Sequence, residues 1–125
     1  MPRTILVVED CDNAAPLEIA LTAMTGIEVL TLRNGNEAVK LIHNGAVDLA
    51  AVVTDLNLPH ADGFEIIRAV RHDERYSQLP VLVISGDSHP DTPLQVRLSG
   101  ANAFFPKPYS PTEIRQLLED LLHAQ

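Results

Sequence analysis

Four places along the chain carry side chains that could do chemistry together: the acid pair Glu9-Asp10, then Asp55, Ser85 and Lys107. Each comes where a short apolar run ends, so the ends of those runs decide whether the groups meet. Three carboxylates drawn into one place would repel by about 4 kcal/mol per close pair at an effective dielectric near 20. Folding would push their pKa values up unless something cationic sits among them. Lys107 brings one positive charge, which is too little for three acids. A hard divalent cation with oxygen ligands is the natural complement, and a small, wet site with few carboxylates favours Mg²⁺ over Ca²⁺. Taken singly, each acid reads as an ordinary strand end or turn; the weight lies in their convergence.

That convergence depends on the elements behind them. Apolar, β-rich runs are predicted at Thr4–Val8, Glu28–Leu32, Leu49–Thr54, Val81–Ser85 and Ala103–Phe105. The first, third and fourth are apolar throughout rather than alternating, as strands of a parallel sheet covered by helices on both faces are. Between them lie stripes with helical spacing: Leu17, Ala20, Leu21 and Met24; Ala38, Leu41 and Ile42; Phe64, Ile67 and Val70; and Ile114, Leu117, Leu118, Leu121 and Leu122. Pro16 falls in the first turn of the first helix. Ser110-Pro111-Thr112-Glu113 opens the last as a capping box with proline at its first position. The fourth helix, within Asp91–Ser99, starts at Pro90 and Pro93, and is expected to be short and comparatively mobile. Strands alternating with helices predict an α/β fold, a three-layer doubly wound (βα)₅ sandwich with a five-stranded parallel sheet. The polar groups then fall at the carboxyl ends of its strands, the edge where open α/β sheets bind ligands.

Composition narrows the class further. The chain has 125 residues, 9 Lys plus Arg against 17 Asp plus Glu, and a formal charge of -8. Phosphate backbones and anionic lipid are poor partners for such a surface. One cysteine, Cys11, excludes an intramolecular disulfide and a Cys-only zinc site, and reads as a small packing residue. The histidines (His43, His60, His72, His89 and His123) have no zinc-ligand spacing with cysteine; His60, near Asp55 in sequence, reads as a solvated loop residue. No apolar run is long enough for a membrane span, and Met1-Pro2-Arg3 leads directly into a strand pattern. A cytoplasmic location is expected.

Four stretches in register carry a resemblance to a known family. Val7-Val8-Glu9-Asp10, then Asp55-Leu56-Asn57-Leu58-Pro59-His60-Ala61-Asp62-Gly63, then Val83-Ile84-Ser85-Gly86, and Gly100-Ala101 through Phe104 to Lys107-Pro108 resemble the receiver domain of two-component response regulators. The likeness runs from Ile5 to Leu122 and is strongest to the stand-alone chemotaxis type. It implies the flavodoxin-like strand order 2-1-3-4-5, which is a stock illustration of this fold, and one receiver domain over 1–125 with no output domain. It further implies that Asp55 is phosphorylated by a sensor histidine kinase or a histidine phosphotransfer protein. Mg²⁺, with Mn²⁺ as a substitute, would be held by Glu9, Asp10, Asp55 and the backbone carbonyl of Asn57. Ser85 and Lys107 would contact phosphoryl oxygens, and the Lys107-Pro108 bond would be cis. Ser85 and Phe104 would form the switch; phenylalanine stands where tyrosine is commoner, so the hydroxyl is lost. Asn57 and Asp87 would tune loss of the phosphoryl group, Asp87 by orienting water. A downstream protein would read helix 4, strand 5 and helix 5, with the chain a monomer or a phosphorylation-dependent dimer. No direct contact with nucleic acid or membrane is implied, and no enzymatic activity beyond the chain's own aspartyl phosphorylation and dephosphorylation.

Other chemistries fit less well. Haloacid-dehalogenase-type phosphatases want a second acid two residues past the nucleophile, where Asn57 stands. Ser85 lacks the G-x-S-x-G of a serine hydrolase, and there is no Gly-rich phosphate loop. The alternative within the fold is a receiver-like interaction module that works without phosphorylation.

Overall fold

The computed structural model describes residues 2–10 and 14–123; Cys11 lies outside them. The strands are β1 (Arg3–Val8), β2 (Ile27–Leu32), β3 (Leu49–Asp55), β4 (Val81–Ser85) and β5 (Ala103–Pro106). The helices are α1 (Ala15–Thr22), α2 (Gly35–Asn44), α3 (Gly63–His72), α4 (Thr92–Leu98) and α5 (Pro111–His123), with a 3₁₀ turn at Glu74–Tyr76. All strands pair in parallel in the order β2-β1-β3-β4-β5.

Side chains alternate across the sheet, so each wholly apolar strand feeds two cores. Ile5, Val7, Ala51, Val53, Leu82 and Ile84 pack with Leu17 and Leu21 of α1 and Ile114 and Leu118 of α5. Leu6, Val8, Val52, Val81 and Val83 pack on the other face with Ala38 and Ile42 of α2, Ile66, Ile67 and Val70 of α3, and Val96 of α4. Burying a Leu or Ile side chain contributes about 1.5–3 kcal/mol each, and these layers fix where the strands end.

The helices differ in how plainly their sequences announce them. Asn34 caps α2 by accepting from the N–H groups of Asn36 and Glu37, and Asp62 caps α3 through Glu65. Ser110 accepts from the Glu113 N–H at the start of α5 at 3.2 Å, as the capping pattern predicts. In α3 the buried set is Ile66, Ile67, Ala69 and Val70, broader than the predicted stripe, while Phe64 is only half-buried. The helix rests against α2 as well as the sheet. α4 is seven residues long, and Leu94 and Leu98 on it stay exposed. Among the described residues no helix is long and apolar enough to cross a membrane.

Candidate functional site

Strand register brings the polar groups to one edge. Val8 lies opposite both Leu32 and Thr54, so Glu9 and Asp55 come next on neighbouring strands. Asp55 pairs with Ile84, which puts Ser85 one step beyond, and Ser85 pairs with Pro106, which puts Lys107 one step further. The ladder continues past the strands: the Glu9 N–H donates to the Leu32 carbonyl at 3.0 Å and the Lys107 N–H to that of Ser85 at 2.8 Å. The spacing of apolar runs is therefore what assembles the site.

Glu9, Asp10 and Asp55 each offer a carboxylate oxygen, and these lie within 4.8 Å of one another. Glu9 and Asp55 are buried and Asp10 is exposed. Lys107 Nζ reaches in from the far side, 2.6 Å from Asp55 Oδ2 and 3.2 Å from Glu9 Oε1. Partial burial works against its charge, but the hydrogen bond to Asp55 and the charges of Asp55 and Glu9 outweigh that and hold its pKa above the ordinary lysine value. One ammonium still faces three acids, two of them out of water. This donor set, all hard oxygen with one side open, suits a small divalent cation, and Glu9, Asp10 and Asp55 are the side chains that could hold it.

The β3–α3 connection completes the floor. Asp55 Oδ1 accepts from the Asn57 N–H at 3.2 Å, and the buried Thr54 hydroxyl donates to the Asp55 carbonyl. The Gly63 N–H donates to the Leu56 carbonyl at 2.8 Å. A Cβ on Gly63 would come within 2.7 Å of the Asp55 carbonyl oxygen and 2.9 Å of Leu56 Cα, so only glycine lets α3 start this close to β3. His60 is exposed in that connection, with φ of 72°.

Ser85 is fully buried, and its hydroxyl accepts from the Asp87 N–H at 2.9 Å. A run of similar bonds follows: Asp87 Oδ1 accepts from the His89 N–H, and His89 Nδ1 from the Asp91 N–H just before α4. Asp87 is exposed and one of its carboxylate oxygens is engaged with its own loop. Phe104 is half-buried and packs on the α2–α3–α4 side, whereas Phe105 packs on the other face. The Lys107–Pro108 bond is cis.

Glu9, Asp10, Asp55 and Lys107 thus form one cluster, Asn57 joins it through its backbone, and Ser85 lies at the adjoining strand end. Sequence reasoning missed Arg33, whose Nη2 donates to the Asp10 carbonyl at 3.0 Å. Its place directly after β2, at the same sheet edge, is the signal that could have found it. A cavity of about 690 Å³ lies at the opposite edge of the sheet, where Arg3 is near Asp48 and Arg75 is paired to Asp73. That cavity lies away from the carboxylate cluster of Glu9, Asp10 and Asp55, where the candidate chemistry is.

The family described as the response regulator receiver domain matches residues 5–119. The chain is 32% identical over 88 residues to the chemotaxis protein CheY of Pseudomonas aeruginosa, covering 70% of this chain and 69% of that protein. It is 34% identical over 107 residues to the CAI-1 autoinducer sensor kinase/phosphatase CqsS of Vibrio cholerae, covering 85% of this chain but 15% of that protein's length. Among solved structures, the phosphorylated cyanobacterial phytochrome response regulator RcpA is similar with a TM-score of 0.79 at 26% identity, over 97% of this chain and 91% of that one.

Proposed function

The chain belongs to the response regulator receiver domain family, and from that premise we propose that Asp55 accepts a phosphoryl group from a phosphohistidine. The observation that carries this is the company Asp55 keeps: buried, within 4.8 Å of the Glu9 and Asp10 oxygens, with a single lysine on it. A carboxylate oxygen of Asp55 attacks phosphorus, the O–P bond forms, and the P–N bond breaks with its electron pair returning to the imidazole. The product is an aspartyl phosphate. Such transfers ask the protein for positioning and charge stabilisation more than for covalent work.

Glu9, Asp10, Asp55 and the carbonyl of Asn57 would hold Mg²⁺ or Mn²⁺. When bound, the ion supplies positive charge to the carboxylate and phosphoryl oxygens. Lys107 leaves Asp55 Oδ2 for a phosphoryl oxygen, a charge-assisted contact of the same kind. The Ser85 hydroxyl donates to another phosphoryl oxygen. That draws on the loop bonded to it, through Asp87 and His89, and so on the start of α4. Phe104 responds by packing alone, since it has no hydroxyl. Asn57 and Asp87 tune how readily water takes the phosphoryl group away; Asp87 must turn out of its bond to the His89 N–H to orient that water fully. The donor is a sensor histidine kinase or a histidine phosphotransfer protein in a cytoplasmic relay. The reader is a protein that docks on α4, β5 and α5, where Leu94 and Leu98 stand exposed. In this reading the chain catalyses only its own phosphorylation and dephosphorylation.

The test is incubation with Mg²⁺ and acetyl phosphate, followed by intact mass. One phosphoryl adduct is expected, absent with EDTA and absent in Asp55→Asn. An unmodified protein, or an adduct that survives Asp55→Asn, would overturn the proposal.

A further inference from the structure

The three acids are not equally well held. Glu9 and Asp55 are buried and share Lys107, and the Glu9 backbone still belongs to the sheet through Leu32. Asp10 is exposed and lies two residues past Val8, the last paired position of β1. From β2, Arg33 crosses to it: Nη2 of the guanidinium donates to the Asp10 carbonyl at 3.0 Å. Arg33 stands one residue after Leu32, the residue whose carbonyl takes the Glu9 N–H, so β2 grips the acid pair at two successive points.

Resting on the metal-binding part of the function proposed above, we infer that Arg33 is a positioning residue for the cation site, holding the Asp10 backbone so that its carboxylate faces Glu9 and Asp55. Two effects of Arg33 oppose each other, and this makes the inference testable by sign. As a positive charge at the rim, Arg33 disfavours a divalent cation, so its removal would tighten binding, most at low salt. As a tether on Asp10, it favours the cation, so its removal would weaken binding. Groups that orient metal ligands are commonly worth about tenfold or more in affinity, and an exposed charge is worth less because solvent screens it. The tether should dominate.

The experiment is calorimetric titration of wild type and Arg33→Ala with Mg²⁺ alone, at low and high salt, with amide hydrogen exchange on both proteins in EDTA. Arg33→Ala is expected to bind Mg²⁺ about tenfold more weakly at both salt concentrations. It should also exchange faster at the residues that follow β1, with α5 unchanged. Equal or tighter binding by Arg33→Ala overturns the inference and leaves the metal reading intact. Weaker binding with unchanged exchange overturns it too, because the loss would not come from a released backbone. A wild type that takes up no Mg²⁺ overturns the metal reading, and this inference with it.

Discussion

At the scale of residues, the informative side chains are those with more than one demand on them. Lys107 is bonded to both Asp55 and Glu9, so the same ammonium that offsets the charge of the acid pocket is, under the proposed transfer, the one that would have to leave Asp55 for the incoming phosphoryl group. Asp73, away from the site, gives a cleaner electrostatic case. The hydrogen bond from Arg75, set against a smaller cost of desolvation, draws its carboxyl down to about 2. A carboxyl whose folded pKa is depressed binds fewer protons folded than unfolded. Its stabilisation is complete above the ordinary Asp value, and is lost as pH falls through the folded one. Asp73→Asn should therefore melt below the parent at neutral pH, with the gap closing between about 4 and about 2. Melting curves across that range decide the matter, and a gap of constant size would contradict it. Neither Arg33 nor Arg71 was visible as a functional or structural anchor beforehand. Arg71 donates to the carbonyls of Gly100, Tyr76 and Leu79 and to the Asn102 side chain, and a long polar side chain aimed at distant carbonyls leaves no periodic mark in a sequence.

Between residue and molecule stand the elements, and the β3–α3 connection is where they bear most on the site. Gly63 opens α3 directly over the end of β3, with the atoms a Cβ would strike belonging to backbone that cannot swing aside. Gly63→Ala should cost about 1–3 kcal/mol, as overpacking does, and should also weaken Mg²⁺ binding by shifting Asp55. Gly86→Ala is the control: a Cβ there meets nothing within 4 Å, so its effect on stability should stay within about 0.5 kcal/mol. Urea unfolding of the pair, with Mg²⁺ titrations, measures both; equal losses would contradict the close-approach argument. Elements also explain which parts of the fold could be read in advance. β1, β3 and β4 announced themselves because a strand buried on both faces is apolar at every position. The periodicity of α3 predicts a narrower stripe than the helix buries, because its second neighbour, α2, is invisible to a single helix's periodicity. The 3₁₀ turn at Glu74–Tyr76 is too short to have a period at all.

For the molecule as a whole, one property organises the rest: parallel strands in the order β2-β1-β3-β4-β5 must end at a common edge, and four of them end in, or lead directly into, the reactive groups. The acid pair, Asp55, Ser85 and Lys107 could be assigned to that edge from sequence because strand ends are where apolar runs stop. What could not be read was the finer geometry, such as Lys107 bonding two acids at once, since distances across a site come from packing and not from spacing along a chain. With 17 acids against 9 bases the cluster is one acidic group among many by composition; the burial of Glu9 and Asp55 and the lysine they share set it apart. The central claim is that Asp55, and neither Glu9 nor Asp10, is the nucleophile. The most direct measurement is borohydride reduction of the phosphorylated protein, which converts an aspartyl phosphate to homoserine, followed by sequencing of its peptides by mass spectrometry. The account predicts homoserine at position 55 alone, and homoserine at position 10, or at no position, would contradict it.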